Sequence, residues 1–174
     1  MFRAIAALVL ASTTSHSTAT LSSAVPWWER VTVTVSDDGK TQSCRYESSL
    51  QPSAGKDCSV SSSESATASS AGTKDQFTRI TFERRFNPGT KPDMTLEPGE
   101  VLLGGQMMAL AIDGAGAVKG CQIVATSGSV TPQYGCSEAE AERFEASAGR
   151  QHAAAPRREG YMTIIVYGHS EHVV

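Results

Sequence analysis

The four cysteines are the residues whose type and spacing bear most directly on chemistry. Cys44 and Cys58 enclose 13 residues. Cys121 and Cys136 enclose 14. Neither pair has the C-x-x-C spacing of a redox couple, and no histidine lies near a cysteine in the sequence to complete a zinc site. Four cysteines allow three pairings. We favour the two local pairs, because each would join neighbouring elements and closing a loop of about 15 residues is worth roughly 3 kcal/mol.

Residue types that could carry catalysis are present without a recognisable arrangement. The many serines include no G-x-S-x-G motif. The glycines of residues 114–116 lack the following G-K-[ST] of a phosphate-binding loop. Asp37, Asp38 and Asp113 fall at expected tight turns, where short acidic side chains are common. No pair of carboxylates therefore suggests an acid/base couple, and we expect neither catalysis nor a cofactor.

The histidines are interpreted in the same way. His169, Glu171 and His172 form an H-S-E-H sequence at the C-terminus, but a metal site would need further ligands, so we expect a solvated tail and no bound metal. His152 lies in a basic stretch with three arginines. That stretch could attract an anionic partner, although a solvated loop is the simpler interpretation.

The start of the chain has the features of a secretory leader. One arginine precedes the apolar residues 4–11, and a Ser/Thr-rich segment follows, which is the order of a signal peptide. Small residues allow cleavage after Ala19 or after Ala24. We predict a leader over residues 1–24, because sequence that resembles a folded domain starts at Val25. The mature protein would then be periplasmic or secreted, where disulfides form.

Composition excludes several classes of protein. The chain has 174 residues, with 15 Lys+Arg against 18 Asp+Glu, and a formal net charge of −3. A nucleic-acid binder would normally carry a basic surplus, so no nucleic-acid partner is expected. No apolar run approaches the roughly 20 residues that span a bilayer, so the processed chain is not expected to cross a membrane.

The first half of the domain is predicted to begin with a β-hairpin. Residues 31–35 alternate strictly, and Asp38-Gly39 suits a type I′ turn. Counting outward from that turn gives the cross-strand pairs Val35–Gln42, Val33–Cys44 and Val31–Tyr46. Period 2 places the three valines with Cys44 and Tyr46 on one face, and Trp27 and Trp28 are expected to cap the same core. The serine-rich residues 59–75 predict a flexible loop within one domain, 25–174.

The second half predicts further strands and one helix. Residues 77–86 alternate, with the even positions inward and Arg79, Thr81, Glu83 and Arg85 outward. Residues 101–112 are apolar on both faces and contain two glycines, which favours a central, bulged strand. Residues 118–126 return as a strand. Ser137 and Glu140 predict a capping box for a helix that ends at Gly149, with Ala141, Phe144 and Ala148 on one face. Residues 161–167 form a last strand. The predicted class is α+β, a disulfide-stabilised antiparallel sheet with one main helix, in the order hairpin, strand, ββαβ.

The second half also carries a family pattern. It reads Ile112-Asp113-Gly114, Val118, a strand, Thr126-Ser127-Gly128, and then Glu142-Arg143-Phe144. Residues 101–170 thereby resemble the C-terminal domain of TonB-like periplasmic proteins, in which D-G-x-V and a strand precede S-S-G and a helix ending near R-F. One branch of that family places a cysteine in the strand and one at the helix start, where Cys121 and Cys136 stand. Here threonine replaces the first serine of S-S-G, and the L-D before the helix is absent.

The resemblance implies a small α+β fold that binds partners through an exposed sheet edge in the bacterial envelope. Strand addition needs only main-chain hydrogen bonds, so no side chain has to mark the site. The retained anchor and long Pro-rich spacer of energy-transducing TonB proteins are absent, so transmission of force is not expected. The expected function is non-enzymatic binding of an envelope protein. The alternatives are a small periplasmic enzyme with His152 as its titrating group, or a secreted structural or stress protein. The oligomeric state is not indicated.

Overall fold

The computed structural model describes residues 20–36, 41–50, 56–58, 77–146 and 157–169. Within these residues the chain forms seven strands and one short helix. Their bounds are β1 Trp27–Val35, β2 Thr41–Ser48, β3 Lys56–Asp57, β4 Arg79–Pro88, β5 Glu100–Ile112, β6 Val118–Gly128, α1 Cys136–Ala141 and β7 Arg158–His169. The predicted leader residues 1–19, the Asp37-Asp38 turn, the serine-rich loop, and His152, Glu171 and His172 lie outside the described residues.

The strands form one sheet in the order β3-β2-β1-β4-β7-β5-β6, and every neighbouring pair is antiparallel. An antiparallel sheet with one short helix and two disulfides confirms the predicted class in outline. The last strand, β7, lies between β4 and β5. The N-terminal hairpin and the second half of the chain therefore belong to the same sheet.

The hairpin register follows the alternation of the sequence except next to the turn. Val33 pairs with Cys44 and Val31 with Tyr46, as predicted. Val35 pairs with Thr41 and not with Gln42, because the register shifts between Thr34 and Val35. Such a bulge inserts one residue into a strand and displaces the pairs beyond it.

The first face of the sheet carries the hydrophobic core. One cluster gathers around Phe86, Met108 and Met162 and extends to α1 and the segment after it. A second cluster gathers around Val33, Ile80 and Val166 at the other end of the same strands. The even positions of β4 and the odd positions of β1 lie on this face, as the period of 2 requires, together with side chains of β5 and β7.

The second face is also partly buried, which corrects two predictions. Thr81 and Glu83 were expected to point to solvent but are buried, because β4 is an interior strand of the sheet and its odd positions also lie among packed neighbours. Trp27 is buried in the first-face core. Trp28, adjacent in β1, is only half-buried and lies under the Arg30 guanidinium, 4.7 Å from its ring centre. The two tryptophans therefore do not cap the same core.

The helix is shorter than predicted and begins earlier. Gly135, not Ser137, is its N-terminal cap, and the Gly135 N–H donates to Glu138 Oε2 at 2.8 Å. The helix ends at Ala141 because Glu142 is extended and the next two residues form isolated bridges, Ala117–Arg143 and Leu21–Phe144. Phe144 is buried as expected, but it reaches the core from extended chain. None of the described helical segments is long and apolar enough to cross a bilayer.

Packed sequence begins before Val25. Leu21 is 5% exposed and belongs to the core cluster around Phe86. Ser22 and Ser23 are also buried. This N-terminal segment is therefore an integral part of the first-face core.

Candidate functional site

Strand β6 forms one end of the sheet, so only one of its two sides is paired with another strand. In the part of the chain that the structure describes, its main chain is hydrogen-bonded only to β5. Ile123 is 47% exposed and Val124 is 38% exposed, and both belong to the few large hydrophobic side chains that are exposed among the described residues. The unpaired N–H and C=O groups of such an edge are a template for another strand.

Strand β6 carries few charged side chains that could prevent another strand from pairing with it. Lys119 is the sole ionisable side chain among the eleven residues Val118–Gly128, and its Nζ lies 3.8 Å from Asp113 Oδ2. Lysines and inward-pointing charges are the usual means by which proteins prevent strand addition at an edge. Residues 120–128 of β6 have no charged side chain.

Two bulges shape β6. The register shifts opposite Met107/Met108, where Val124 is the extra residue, and again opposite Ala111/Ile112, where Lys119 is the extra residue. Bulges bend a strand and increase its twist. A partner strand would therefore meet two short regular stretches, residues 120–123, which end at the exposed Ile123, and residues 125–128, with the exposed Val124 between them.

The opposite end of the sheet has a shorter and more charged edge strand in the described part of the chain. Strand β3 has only two residues, Lys56 and Asp57, and both are charged. Its neighbour β2 carries the exposed Arg45, and the Cys44–Cys58 disulfide joins β2 to the residue that follows β3. Short, charged edge strands are poor templates for pairing. Among the described residues, the two ends of the sheet thus differ in the length and the charge of their edge strands.

Both disulfides are the local ones. Cys44 is joined to Cys58 with a Cα–Cα distance of 5.0 Å, and Cys121 to Cys136 with 5.5 Å. No free cysteine remains. The second bridge fastens the start of α1 to the edge strand β6, so it positions the helix beside the candidate site.

Among the described residues, five ionisable side chains form a belt between the two core clusters: Glu29, Arg84, Tyr134, Glu142 and Tyr46. Arg84 Nη2 donates to Glu29 Oε2 at 2.6 Å, and its Nη1 donates to Glu142 and to the Tyr134 hydroxyl. The Tyr46 hydroxyl donates to Glu29 Oε1 at 3.0 Å. Glu29 and Arg84 are direct cross-strand partners in β1 and β4.

The belt is a structural link and offers no free reactive group. The guanidinium lies over Trp27 and Tyr134, 5.2 and 5.3 Å from their ring centres. Although burial opposes its charge, the facing carboxylates Glu29 and Glu142 raise the pKa of Arg84. Burial raises the pKa of Tyr134 above that of a free tyrosine. The sequence placed Arg84 on the apolar face of β4 but did not reveal the belt. An arginine among the inward-facing positions of a strand was the available signal, because a buried guanidinium needs a carboxylate beside it.

The second face holds a smaller polar group around Glu83. Its carboxylate accepts from the Tyr167 hydroxyl at 2.8 Å and from Arg85 Nε. Burial, together with the Glu83 hydrogen bond, raises the pKa of Tyr167. Two hydroxyls on this face, Ser127 Oγ and Thr163 Oγ1, are buried without a hydrogen-bond partner.

The remaining sequence-predicted residues do not converge. Asp113 Oδ1 accepts from the N–H groups of Ala115 and Ala117 at 3.0 and 2.9 Å, which is the turn role expected of it and which lowers its pKa. His169 closes β7, where its carbonyl accepts from the Thr78 N–H. Among the described residues, no three His, Cys, Asp or Glu side chains are grouped so as to hold a metal ion.

Comparison with known protein families, with characterised proteins and with solved structures finds no match to this chain. The TonB-like resemblance therefore stays a prediction that depends on the sequence pattern of residues 101–170.

Proposed function

We propose that this protein is exported to the bacterial envelope, as a periplasmic or secreted protein, and binds a protein partner without catalysis. The partner adds an extended segment to the edge of β6. The observation that carries this proposal is the open β6 edge, eleven residues long, with one ionisable side chain and an exposed Ile123 and Val124. Main-chain hydrogen bonds would supply affinity, and pockets or contacts for alternate side chains would supply selectivity.

Three further observations support the proposal. The two disulfides fit an oxidising compartment, which agrees with export. The strand at the opposite sheet edge has two residues, both charged, which disfavours strand addition there. Finally, the strand, turn and cysteine pattern of residues 112–144 resembles TonB-like domains, which are expected to bind through a sheet edge.

The proposal is tested by site-specific photocrosslinking in cells that export the protein. A photoreactive amino acid replaces Gln122, which is exposed on β6, and in a matched variant replaces Ser43, which is exposed on β2. We expect a discrete protein adduct from position 122 and none from position 43. Equal adducts from both positions would refute an edge-specific site.

A charge variant gives the second arm. Ile123→Lys places a cation in the middle of the edge and should lower the crosslinking yield from position 122 about tenfold, since strand addition would then desolvate a charge. Ser43→Lys is the control and should leave the yield unchanged. Circular dichroism of both purified variants verifies the sheet. Full crosslinking by a folded Ile123→Lys variant would contradict the proposal.

A further inference from the structure

The N-terminal segment, residues 21–23, is held by main-chain pairing as well as by burial. The Leu21 N–H donates to the Arg143 carbonyl at 3.3 Å, and the Leu21 carbonyl accepts from the Glu145 N–H at 2.8 Å. These two bonds form a parallel bridge between Leu21 and Phe144. The side chain of Leu21 packs in the same cluster as Trp27, Phe86 and Phe144.

Polar contacts of the next two residues fix the segment further. The indole Nε1–H of Trp27 donates to the Ser22 carbonyl at 2.8 Å in a buried position. Arg158 Nη1, at the start of β7, donates to Ser23 Oγ at 3.2 Å. Without residues 21–23 the buried indole N–H would lose this acceptor, which is costly for a buried donor. The Phe144 segment would lose its bridge as well.

These contacts bear on where the leader is removed. Small residues at the −3 and −1 positions permit cleavage after Ala19, with Ser17, or after Ala24, with Ser22. Cleavage after Ala24 would discard Leu21 and both buried serines. Cleavage after Ala19 keeps all of them and leaves the exposed Thr20 as the first residue. It also shortens the segment between the apolar residues 4–11 and the cleaved bond.

We propose that a signal peptidase hydrolyses the Ala19–Thr20 peptide bond and leaves the Ala24–Val25 bond intact. One water molecule is consumed, Ala19 receives the new carboxyl group, and Thr20 receives the new amino group. The mature protein thus retains the N-terminal segment that completes its core. The inference rests on the export that the proposed function includes, but it does not depend on the β6 edge.

The test uses the full-length precursor in a bacterium that exports it. The mature product is purified, and its N-terminus is read by sequencing and by intact mass. We expect a product that begins at Thr20. A product that begins at Val25 overturns the inference while leaving export in place. An unprocessed chain retained in the cytosol overturns both the inference and the export part of the proposed function.

Two arginine variants provide a matched pair. Ala19→Arg should block processing, so that precursor accumulates at least about tenfold over wild type, because a small residue is required at the −1 position. Ala24→Arg should yield the same Thr20 terminus at the wild-type rate. Its side chain is exposed, and its N–H can still donate to Ser22 Oγ, 3.2 Å away in the wild type, so the fold should tolerate the change. The reverse pattern, with Ala24→Arg blocked and Ala19→Arg processed, refutes the inference.

Discussion

Replacing Arg84 by methionine should destabilise the fold more than removing an exposed arginine. Methionine keeps an unbranched apolar stem against Trp27 and Tyr134 but removes the guanidinium. Glu29 and Glu142 then face each other across the belt with no cation between them. The structure places their carboxylates on the same guanidinium, so one substitution unbalances both.

The magnitude follows from burial and from the bonds that remain. Removing one partner of a buried ion pair costs about 3–5 kcal/mol. The side chain of Arg84 is only 14% exposed, but those of the two carboxylates are more accessible to water. Tyr46 still donates to Glu29, and Tyr134 still donates to Glu142. We therefore expect the free energy of unfolding to fall by about 2–4 kcal/mol. This is less than the full cost of a buried pair, because water partly screens the two carboxylates.

The assay is equilibrium unfolding in urea of the disulfide-intact protein, followed by circular dichroism and tryptophan fluorescence. Arg45→Met is the matched control, because Arg45 lies in the same sheet, pairs with Glu47 at 3.4 Å and has a side chain that is 60% exposed. Its loss should change the free energy of unfolding by no more than about 0.5 kcal/mol. A third variant, with Arg84→Met, Glu29→Gln and Glu142→Gln together, should recover part of the loss, since no unpaired charge is left.

Equal free energies of unfolding for Arg84→Met and Arg45→Met would contradict a stabilising role of the buried Arg84 guanidinium. A triple variant less stable than Arg84→Met would also contradict the prediction, because the loss would then come from missing hydrogen bonds and not from the stranded carboxylates.

Two further predictions follow from burial and backbone geometry. Burial raises the pKa values of Tyr134 and Tyr167 in the folded protein, so a tyrosine in the unfolded chain loses its proton at lower pH. These two residues should leave the free energy of unfolding unchanged below about pH 10 and then lower it by up to about 1.4 kcal/mol per pH unit for each tyrosine. Tyr134→Phe should flatten this slope, as measured by urea unfolding at increasing pH. An unchanged slope would argue against burial as the cause. Gly128→Ala should cost about 2–4 kcal/mol, because φ is +75° and a methyl group there would overlap the Leu103 carbonyl oxygen. Gly89→Ala, with φ +80° and open space around it, should cost only about 1 kcal/mol, and equal losses measured by thermal unfolding would contradict the packing argument.

Strand positions and one-sided burial were predictable where the sequence alternates. The hairpin pairs Val33–Cys44 and Val31–Tyr46 follow from counting out from a two-residue turn. The predicted partner of Val35 was wrong, because a bulge depends on local twist and cannot be recognised from the alternation of apolar and polar residues. Burial of Glu83 was missed for a different reason. A one-sided pattern does not show that β4 will have neighbours covering its second face as well.

The end of the helix and the position of β6 required long-range information. The sequence after Ala141 is compatible with further helical turns, but residues 142–144 extend to pair with Leu21 and Ala117, and tertiary pairing overrides local propensity. Sequence analysis predicted β6 as a strand. Its location at the end of the sheet is set by which strands lie beside β5, and that depends on β7, which begins only at Arg158, after the helix.

The position of β7 has a consequence for when the protein can fold. Strands β1 to β4 and the pair β5–β6 do not hydrogen-bond to each other, and β7 joins them from between. Because β7 follows the other six strands in the sequence, the sheet cannot close until β7 has left the ribosome. Pairing across such long sequence separations is also slow. Until β7 emerges, the nascent chain holds two separate groups of strands with no hydrogen bonds between them.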